Sequence, residues 1–184
     1  MTTLDSSPGA LEDLARRLTR LEDRARIQDL VAAYAIAVDD HDLETLLSLF
    51  TEDGEFERAG SIARGREEIR EFYVAAMDRY SLTLHSPQSD QISVDGDRAR
   101  GLLTGRAELA LDGTLMMAAY RYSDEYARVD GRWLFRRRDL RFMYAVPFER
   151  MNAGLCTTER IQWPGTPHRR ADFPESLPTW STYR

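Results

Sequence analysis

The chain has 184 residues, 42% of them hydrophobic, which fits a single domain with its own core. Its 25 basic and 31 acidic side chains give a net charge of −6, and this balance argues against nucleic acid as a partner. The one cysteine, Cys156, excludes an intramolecular disulfide and a cysteine-based zinc site. Because the sequence has no signal-like leader and no membrane-length apolar run, we expect a soluble, cytoplasmic protein with no membrane partner.

Three helices are predicted in the first half of the chain. Leucines recur from Leu14 at spacings of four and three, and the apolar stripe continues up to an acidic cluster that begins at Asp39. Asp42, in the same cluster, is the expected N-cap of a second helix whose buried face ends at Phe50. Residues 65–80 carry the apolar stripe of a third helix.

Strands are predicted in the rest of the chain. A turn at Asp53-Gly54 should lead into a short strand between the second and third helices. Three more Asp-Gly pairs, which favour tight hairpin turns, separate long strands at roughly 82–94, 97–111, 114–129 and 132–146. In the second of these, small and apolar residues alternate with charged ones, so one face is buried. Helices followed by a curved antiparallel sheet predict an α+β fold with a pocket between the layers.

The two ends of the chain differ in amino-acid composition from its middle. Residues 1–10 are polar and are predicted to be a flexible N-terminal arm. Residues 147–184 contain five prolines together with Trp163 and Trp180, which predicts a C-terminal arm that lies against a folded surface. The arm could cover the mouth of its own pocket or clasp a neighbouring subunit, and we favour the clasp, within a homodimer or homotrimer.

Three histidines are the first candidates for chemistry. His168 and His41 are expected to face solvent, whereas His85 begins a strand and could face the pocket or the outside. A lone histidine in such a place is usually structural. A carboxylate behind the imidazole would make it a general base, because the carboxylate orients the ring and stabilises the imidazolium.

The acidic cluster could supply that carboxylate. Asp39 lies at the end of the apolar stripe, where an unsatisfied acid is costly, whereas Asp40 points further off the stripe and Asp42 is better placed as a cap. On local sequence alone, a solvent-exposed loop acid remains the simpler interpretation of Asp39. Tyr34, one turn earlier on the stripe, is either a core residue or a hydrogen-bond donor to a ligand.

The last two strands carry further polar candidates. Tyr120 shares one strand face with two more tyrosines and an aspartate, and such a ladder is usually packing or a subunit contact. After Trp133, strict alternation would turn Arg141 inward, whereas a β-bulge would bring Arg138 inward instead. Most arginines of this run are expected to be solvated.

Four segments together resemble the SnoaL-like branch of the nuclear transport factor 2-like superfamily over about residues 11–146. They are "RIQDLVAAYAIAVDDHDLETLLSLFTEDGEFE", "GREEIREFY", "LHSPQSDQISVDGDRARG" and "RYSDEYARVDGRWLFRRR". The resemblance implies a cone-shaped α+β barrel, in which N-terminal helices pack into a curved antiparallel sheet around a deep apolar cavity. The superfamily includes polyketide cyclases, scytalone dehydratase, ketosteroid isomerase and nonenzymatic binding proteins, so the fold alone leaves the activity open.

Two enzyme families within this branch are similar over the same segments. The similarity to hexachlorocyclohexane dehydrochlorinase implies an Asp–His dyad of Asp39 and His85, with a cavity arginine at Arg138. The similarity to bile-acid 7α-dehydratase implies a tyrosine at Tyr34 beside the same dyad. The sequence departs from the second family where its second acid and late arginine fall near Ala107 and Phe142.

The resemblance therefore predicts a cofactor-independent lyase, such as a dehydratase, that acts on a hydrophobic cyclic small molecule. His85 would be the base, Asp39 its partner and Tyr34 a donor to the substrate oxygen, with Arg138 or Arg141 assisting. Isomerase or cyclase activity and a non-catalytic binding protein are the alternatives. No metal or other cofactor is expected, because no His pair, Cys cluster or phosphate loop is present. Further side chains expected to contact the substrate are Tyr120, Phe56 and Met117.

Overall fold

The computed structural model describes residues 8–182. Its main helices are α1 (Pro8–Asp39), α2 (Leu43–Ser48) and α3 (Gly65–Met77). Its strands are β1 (Phe50–Arg58), β2 (Ser61–Arg64), β3 (Tyr80–Asp95), β4 (Arg98–Leu111), β5 (Thr114–Val129) and β6 (Arg132–Pro147). A 3₁₀ turn (Phe148–Arg150) and two short helices, α4 (Met151–Leu155) and α5 (Pro178–Ser181), follow. None of the helices within residues 8–182 is both long and apolar enough to cross a membrane.

The strands form one mixed sheet in the order β2-β1-β6-β5-β4-β3. Strands β3 to β6 are an antiparallel meander, whereas β1 runs parallel to β6. At two of the predicted hairpin turns, Asp112-Gly113 and Asp130-Gly131, both residues have positive φ, as the tight turn requires. The α+β prediction is confirmed, and the sheet is curved and open rather than closed.

The Asp53-Gly54 pair is not a turn, contrary to the prediction. Both residues lie inside β1, where the pairing with β6 is irregular between Phe50 and Glu55. The pair therefore makes a bulge in a parallel ladder instead of reversing the chain. The reversal comes later, at Ala59 and Gly60, which both have positive φ.

Helix α1 joins the core only in its second half. The first half presents Leu11, Leu14, Leu18 and Leu21, each more than half exposed, so the predicted stripe is not buried there within one chain. The transition occurs at Asp23, which is 3% exposed and accepts hydrogen bonds from the Trp133 indole at 3.0 Å and from Arg128 at 2.8 Å. The buried stripe continues through Ile27, Leu30, Val31, Tyr34 and Val38. The predicted flexible arm overlaps α1 at residues 8–10, and residues 1–7 lie outside the described residues.

The C-terminal arm packs on its own domain. Ile161 forms a β-bridge with Ala145 of β6 and is buried. Phe173 is also buried, and the guanidinium carbon of Arg121 lies 4.4 Å from the centroid of its ring. Arg160 holds the arm by donating to the carbonyl oxygen of Met143 and to the carboxylate of Glu175. These contacts dock the arm on its own subunit, and the clasp of a neighbouring subunit stays a prediction.

Candidate functional site

A mostly apolar cavity lies between α1, α3 and the concave face of the sheet. Its volume is about 80 Å³, counted as the space open to the centre of a water molecule. Aromatic and aliphatic side chains dominate the wall, including Val38, Phe56, Leu109, Leu140 and Phe142. Trp163 of the C-terminal arm completes the wall, so the arm is part of the site.

Asp39 and His85 are bound to each other at this cavity. Asp39 is the last residue of α1, and His85 lies on β3, which packs along this helix. One carboxylate oxygen of Asp39 lies 2.7 Å from His85 Nδ1, and the other accepts the backbone N–H of His85 at 2.7 Å. Both side chains are largely buried, and His85 lines the cavity. The structure thus brings together the two residues that the sequence proposed as partners.

The charge state of Asp39 follows from these contacts. Burial raises the pKa of its carboxyl, but the hydrogen bonds from the ring and amide of His85 outweigh burial, so the pKa lies below the ordinary value. The ionised carboxylate is an acceptor only, so Nδ1 carries the hydrogen. Nε2 is then the ring nitrogen with a lone pair for a substrate proton.

A small residue of the neighbouring strand lies opposite His85. His85 pairs with Ala107 on β4, and both line the cavity. The adjacent Glu108 is exposed, so the departure from the dehydratase pattern is real at this position: among the described residues, no carboxylate side chain lines the cavity. The dyad faces an apolar wall rather than a second acid.

Phenol groups supply most of the remaining polarity. Tyr34 lines the cavity, as predicted, and its hydroxyl is hydrogen-bonded to that of Tyr73 on α3. Burial and the neighbouring Tyr73 raise the pKa of Tyr34 well above its ordinary value. Burial raises the pKa of Tyr120 to about 12, and its ring centroid lies 6.0 Å from that of His85. These phenols are neutral hydrogen-bond donors at physiological pH.

Gly105 allows Tyr120 to lie across β4. A Cβ built on Gly105 would stand 2.5 Å from the Tyr120 ring, far inside normal contact distance. Gly101 has the same relation to Tyr126, with a Cβ distance of 2.9 Å. The two glycines therefore leave the space into which these rings pack.

Arg138 lies behind the cavity wall and not on it. A register shift between the partners of Glu125 and Tyr126 turns Arg138 inward, which is the bulge that the sequence considered. Its guanidinium is fully buried, bound to Asp124 at 2.9 and 2.7 Å. It lies about 4 Å from three ring centroids, those of Tyr34, Tyr122 and Phe135. Burial disfavours its charge, but Asp124 raises its pKa well above the ordinary value. The expected substrate contact is therefore replaced by a fixed positive charge beneath the tyrosines.

Two other residues that were predicted to contact the substrate do not line the cavity. Arg141 is about half exposed and pairs with Asp139 and Glu57, because the bulge shifts the alternation of β6. Met117 faces away from the cavity, since its neighbours Met116 and Ala118 occupy the buried face of β5. Phe56 and Tyr120 do line the cavity, as expected.

Several cavity residues escaped the sequence interpretation, among them His41, Tyr73, Arg58 and Trp163. His41 follows α1 with a φ of 55° and is exposed, yet it borders the cavity. Tyr73 and Arg58 resemble ordinary helix and strand residues in the sequence, so no local signal marks them. The sequence identified Trp163 as an aromatic residue of the C-terminal arm. Its position in the cavity wall depends on how the arm folds back on the domain.

No group of three or more His, Cys, Asp or Glu side chains within residues 8–182 is arranged to hold a metal ion. The side chains that line the cavity include imidazole, phenol and guanidinium groups. These groups suit proton transfer and oxygen recognition.

Fold and site together define a small α+β domain with an Asp–His pair at an apolar cavity. Residues 19–139 match the SnoaL-like domain family, and the chain belongs to this family. Among curated proteins, none matches the sequence.

Solved structures show the same relationship. A protein of unknown function from Mycobacterium tuberculosis is 31% identical with a TM-score of 0.64, over 68% of this chain and 75% of that chain. A protein from Novosphingobium aromaticivorans, provisionally named an aromatic ring hydroxylase, is 30% identical with a TM-score of 0.66, over 69% and 94%. A hexachlorocyclohexane dehydrochlorinase from Novosphingobium barchaimii is 26% identical with a TM-score of 0.67, over 72% and 94%. The family of this chain thus includes enzymes that act on small molecules.

Proposed function

We propose that this protein is a cofactor-independent lyase that eliminates water or a halide from a hydrophobic cyclic substrate. The observation that supports this most directly is the Asp39–His85 pair at the apolar cavity. The similarity to a dehydrochlorinase agrees with base-initiated elimination.

The proposed reaction begins with proton removal from carbon. Nε2 of His85 takes a proton from the carbon next to the one that bears the leaving group. The electrons of that C–H bond form the new double bond, and the leaving group departs with the electrons of its own bond. Asp39 stabilises the imidazolium that forms, because its carboxylate is already ionised and hydrogen-bonded to Nδ1.

Phenol groups would assist a departing or carbonyl oxygen. In the Tyr34–Tyr73 pair, one hydroxyl donates to the other, so the acceptor keeps a hydrogen for a substrate oxygen. A hydroxide leaving group takes up the proton held by His85, which restores the neutral ring and releases water. Arg138 below these rings favours negative charge that develops on the substrate oxygen.

A panel of hydroxylated and halogenated ring compounds, followed by mass spectrometry for loss of water or hydrogen halide, tests this proposal. His85→Ala should lower kcat/KM by about 10²–10⁴-fold, the usual contribution of a positioned base. His41→Ala is the matched control, because His41 borders the same cavity without a carboxylate partner among residues 8–182. A folded His85→Ala variant with full activity would exclude the mechanism. Exhaustive chelation should leave turnover unchanged, and loss that one added metal restores would exclude cofactor independence.

A further inference from the structure

Arg58 is a cavity residue with no role in the reaction proposed above. It is the last residue of β1, and its side chain lines the cavity. Its guanidinium carbon lies 5.1 Å from the ring of Trp163 and 5.5 Å from the ring of Phe142. Contacts with aromatic rings hold a guanidinium in place and leave its N–H groups available.

The charge of Arg58 has no carboxylate partner among the described residues, in contrast to the arginines nearby. Arg64 pairs with Glu55 at 3.3 Å, and Arg79 at the outer edge of the same region pairs with Asp112 at 2.5 Å. No carboxylate oxygen within residues 8–182 lies within 4.0 Å of a nitrogen of Arg58. A half-buried guanidinium gains most from an anionic partner, so an external anion is the natural candidate.

Arg58 also lies at the mouth of the cavity. An outer groove adjoins the cavity, and Arg58 and Trp163 line both. Burial raises the pKa of Tyr73 inside the cavity, and the charge of Arg58 is among those that oppose this rise, so its field reaches inward. Among the residues that line the cavity within the described chain, Arg58 is the one with a permanent charge. An anionic group bound at the mouth would contact the guanidinium of Arg58, and a ring attached to that group would contact the apolar side chains of the cavity.

The sheet places Arg58 and His85 on different walls. β1 and β3 are separated in the sheet by β6, β5 and β4. A ligand bound by both residues therefore has an acidic end and a separate carbon that presents its proton to His85.

We propose that Arg58 determines substrate specificity by binding the carboxylate of an otherwise apolar cyclic acid, with the carboxylate at the mouth and the ring in the cavity. This inference rests on the proposed function for the identity of the ligand as substrate. The affinity of the protein for such an acid is a separate quantity, and it can be measured without turnover.

Isothermal titration with matched ligand pairs tests the inference. The pairs are cyclohexanecarboxylate with its carboxamide, 2-naphthoate with its carboxamide, and a tetracyclic steroid acid with its amide. We expect the wild-type protein to bind at least one acid about tenfold or more tightly than its amide, as a charge-assisted bidentate contact provides. Arg58→Met should bring the ratio close to one, by weakening the binding of the acid more than that of the amide. Arg58→Lys should retain part of the preference.

Two further variants separate the possible causes. Arg121→Met is the matched control, since Arg121 also lies over an aromatic ring, at 4.4 Å from Phe173, but does not line the cavity. It should keep the wild-type ratio, as should His85→Ala, which removes the proposed base and not the anion contact. A ratio that survives in a folded Arg58→Met protein would overturn the inference, and so would a wild-type protein that binds none of the acids or shows no preference for them. A fully active His85→Ala enzyme would refute the lyase mechanism and leave the binding ratio as it stands.

Discussion

The carboxylate of Asp39 accepts two hydrogen bonds from His85, one from the ring and one from the backbone amide, each at 2.7 Å. The two contacts fix both the orientation of the imidazole and the position of its strand relative to the end of α1. The same residue pair thus joins the helix to the sheet and prepares Nε2 for a proton. Stability and proton transfer are therefore coupled at this position, and the variants below separate them.

The first prediction concerns the tautomer of His85. Because the ionised Asp39 accepts from Nδ1, neutral His85 should carry its hydrogen on Nδ1 in the wild-type protein. In Asp39→Asn this preference should be lost, since an amide can donate to Nδ1 as well as accept from it. Nitrogen-15 NMR of the histidine ring distinguishes the two forms. A wild-type spectrum with the hydrogen on Nε2 would contradict the assignment of the base.

Acid pH should weaken the fold through Asp39. The folded-state pKa of its carboxyl lies below the ordinary value of about 3.9, so the stabilisation is complete above that value and is lost as the pH falls through the folded pKa. Urea unfolding of wild type and Asp39→Asn between about pH 6 and about pH 3 measures it. The difference in free energy of unfolding should shrink towards low pH. A difference that stays constant or grows would assign the effect to packing.

Gly105→Ala should destabilise the protein by about 1–3 kcal/mol, because the new methyl group would overlap the ring of Tyr120. Gly9→Ala is the control, since a Cβ there meets nothing within 4 Å. Thermal and denaturant unfolding give both values. In a Tyr120→Ala background the added methyl group should cost little, and an undiminished cost would place the clash elsewhere.

Assembly should depend on the exposed leucines of α1. Leu11, Leu14, Leu18 and Leu21 repeat at spacings of three, four and three, the pattern of a two-helix seam, so we expect a second copy of α1 to cover them. Light scattering should show a dimer for wild type and a monomer for Leu18→Glu. Thr19→Glu adds the same charge off the seam and should remain dimeric. A monomeric wild-type protein, or a dimeric Leu18→Glu variant, would refute this expectation.

Truncation after Val146 tests the C-terminal arm separately. The arm contributes buried Ile161 and Phe173 to its own domain and Trp163 to the cavity wall. Its removal should lower the melting temperature by uncovering β6, while the oligomeric state remains that of the full chain. If the truncated protein instead dissociates at matched concentration, the arm clasps a neighbour after all.

Local sequence predicts the elements of this fold better than it predicts the site. Helical period and Asp-Gly turns are local properties, so the four long strands lie within two residues of their predicted limits. The inward turn of Arg138 depends on a bulge that two strands share, and alternation along one strand favoured Arg141 instead. Arg58 carries no local mark at all, because its importance comes from Trp163, which is 105 residues away in the sequence and adjacent in space.

The parallel pairing of β1 with β6 has a consequence for biosynthesis. Phe56 of β1 pairs with Arg138 of β6, which is much later in the sequence. Strand β1 therefore leaves the ribosome long before β6, the strand with which it pairs. Strands β3 to β5 can meanwhile close as successive hairpins between sequence neighbours. Until β6 emerges, the apolar side of α1, with Tyr34 and Val38, has no complete sheet to cover it. This interval is the stage of synthesis at which the nascent chain is most exposed to aggregation.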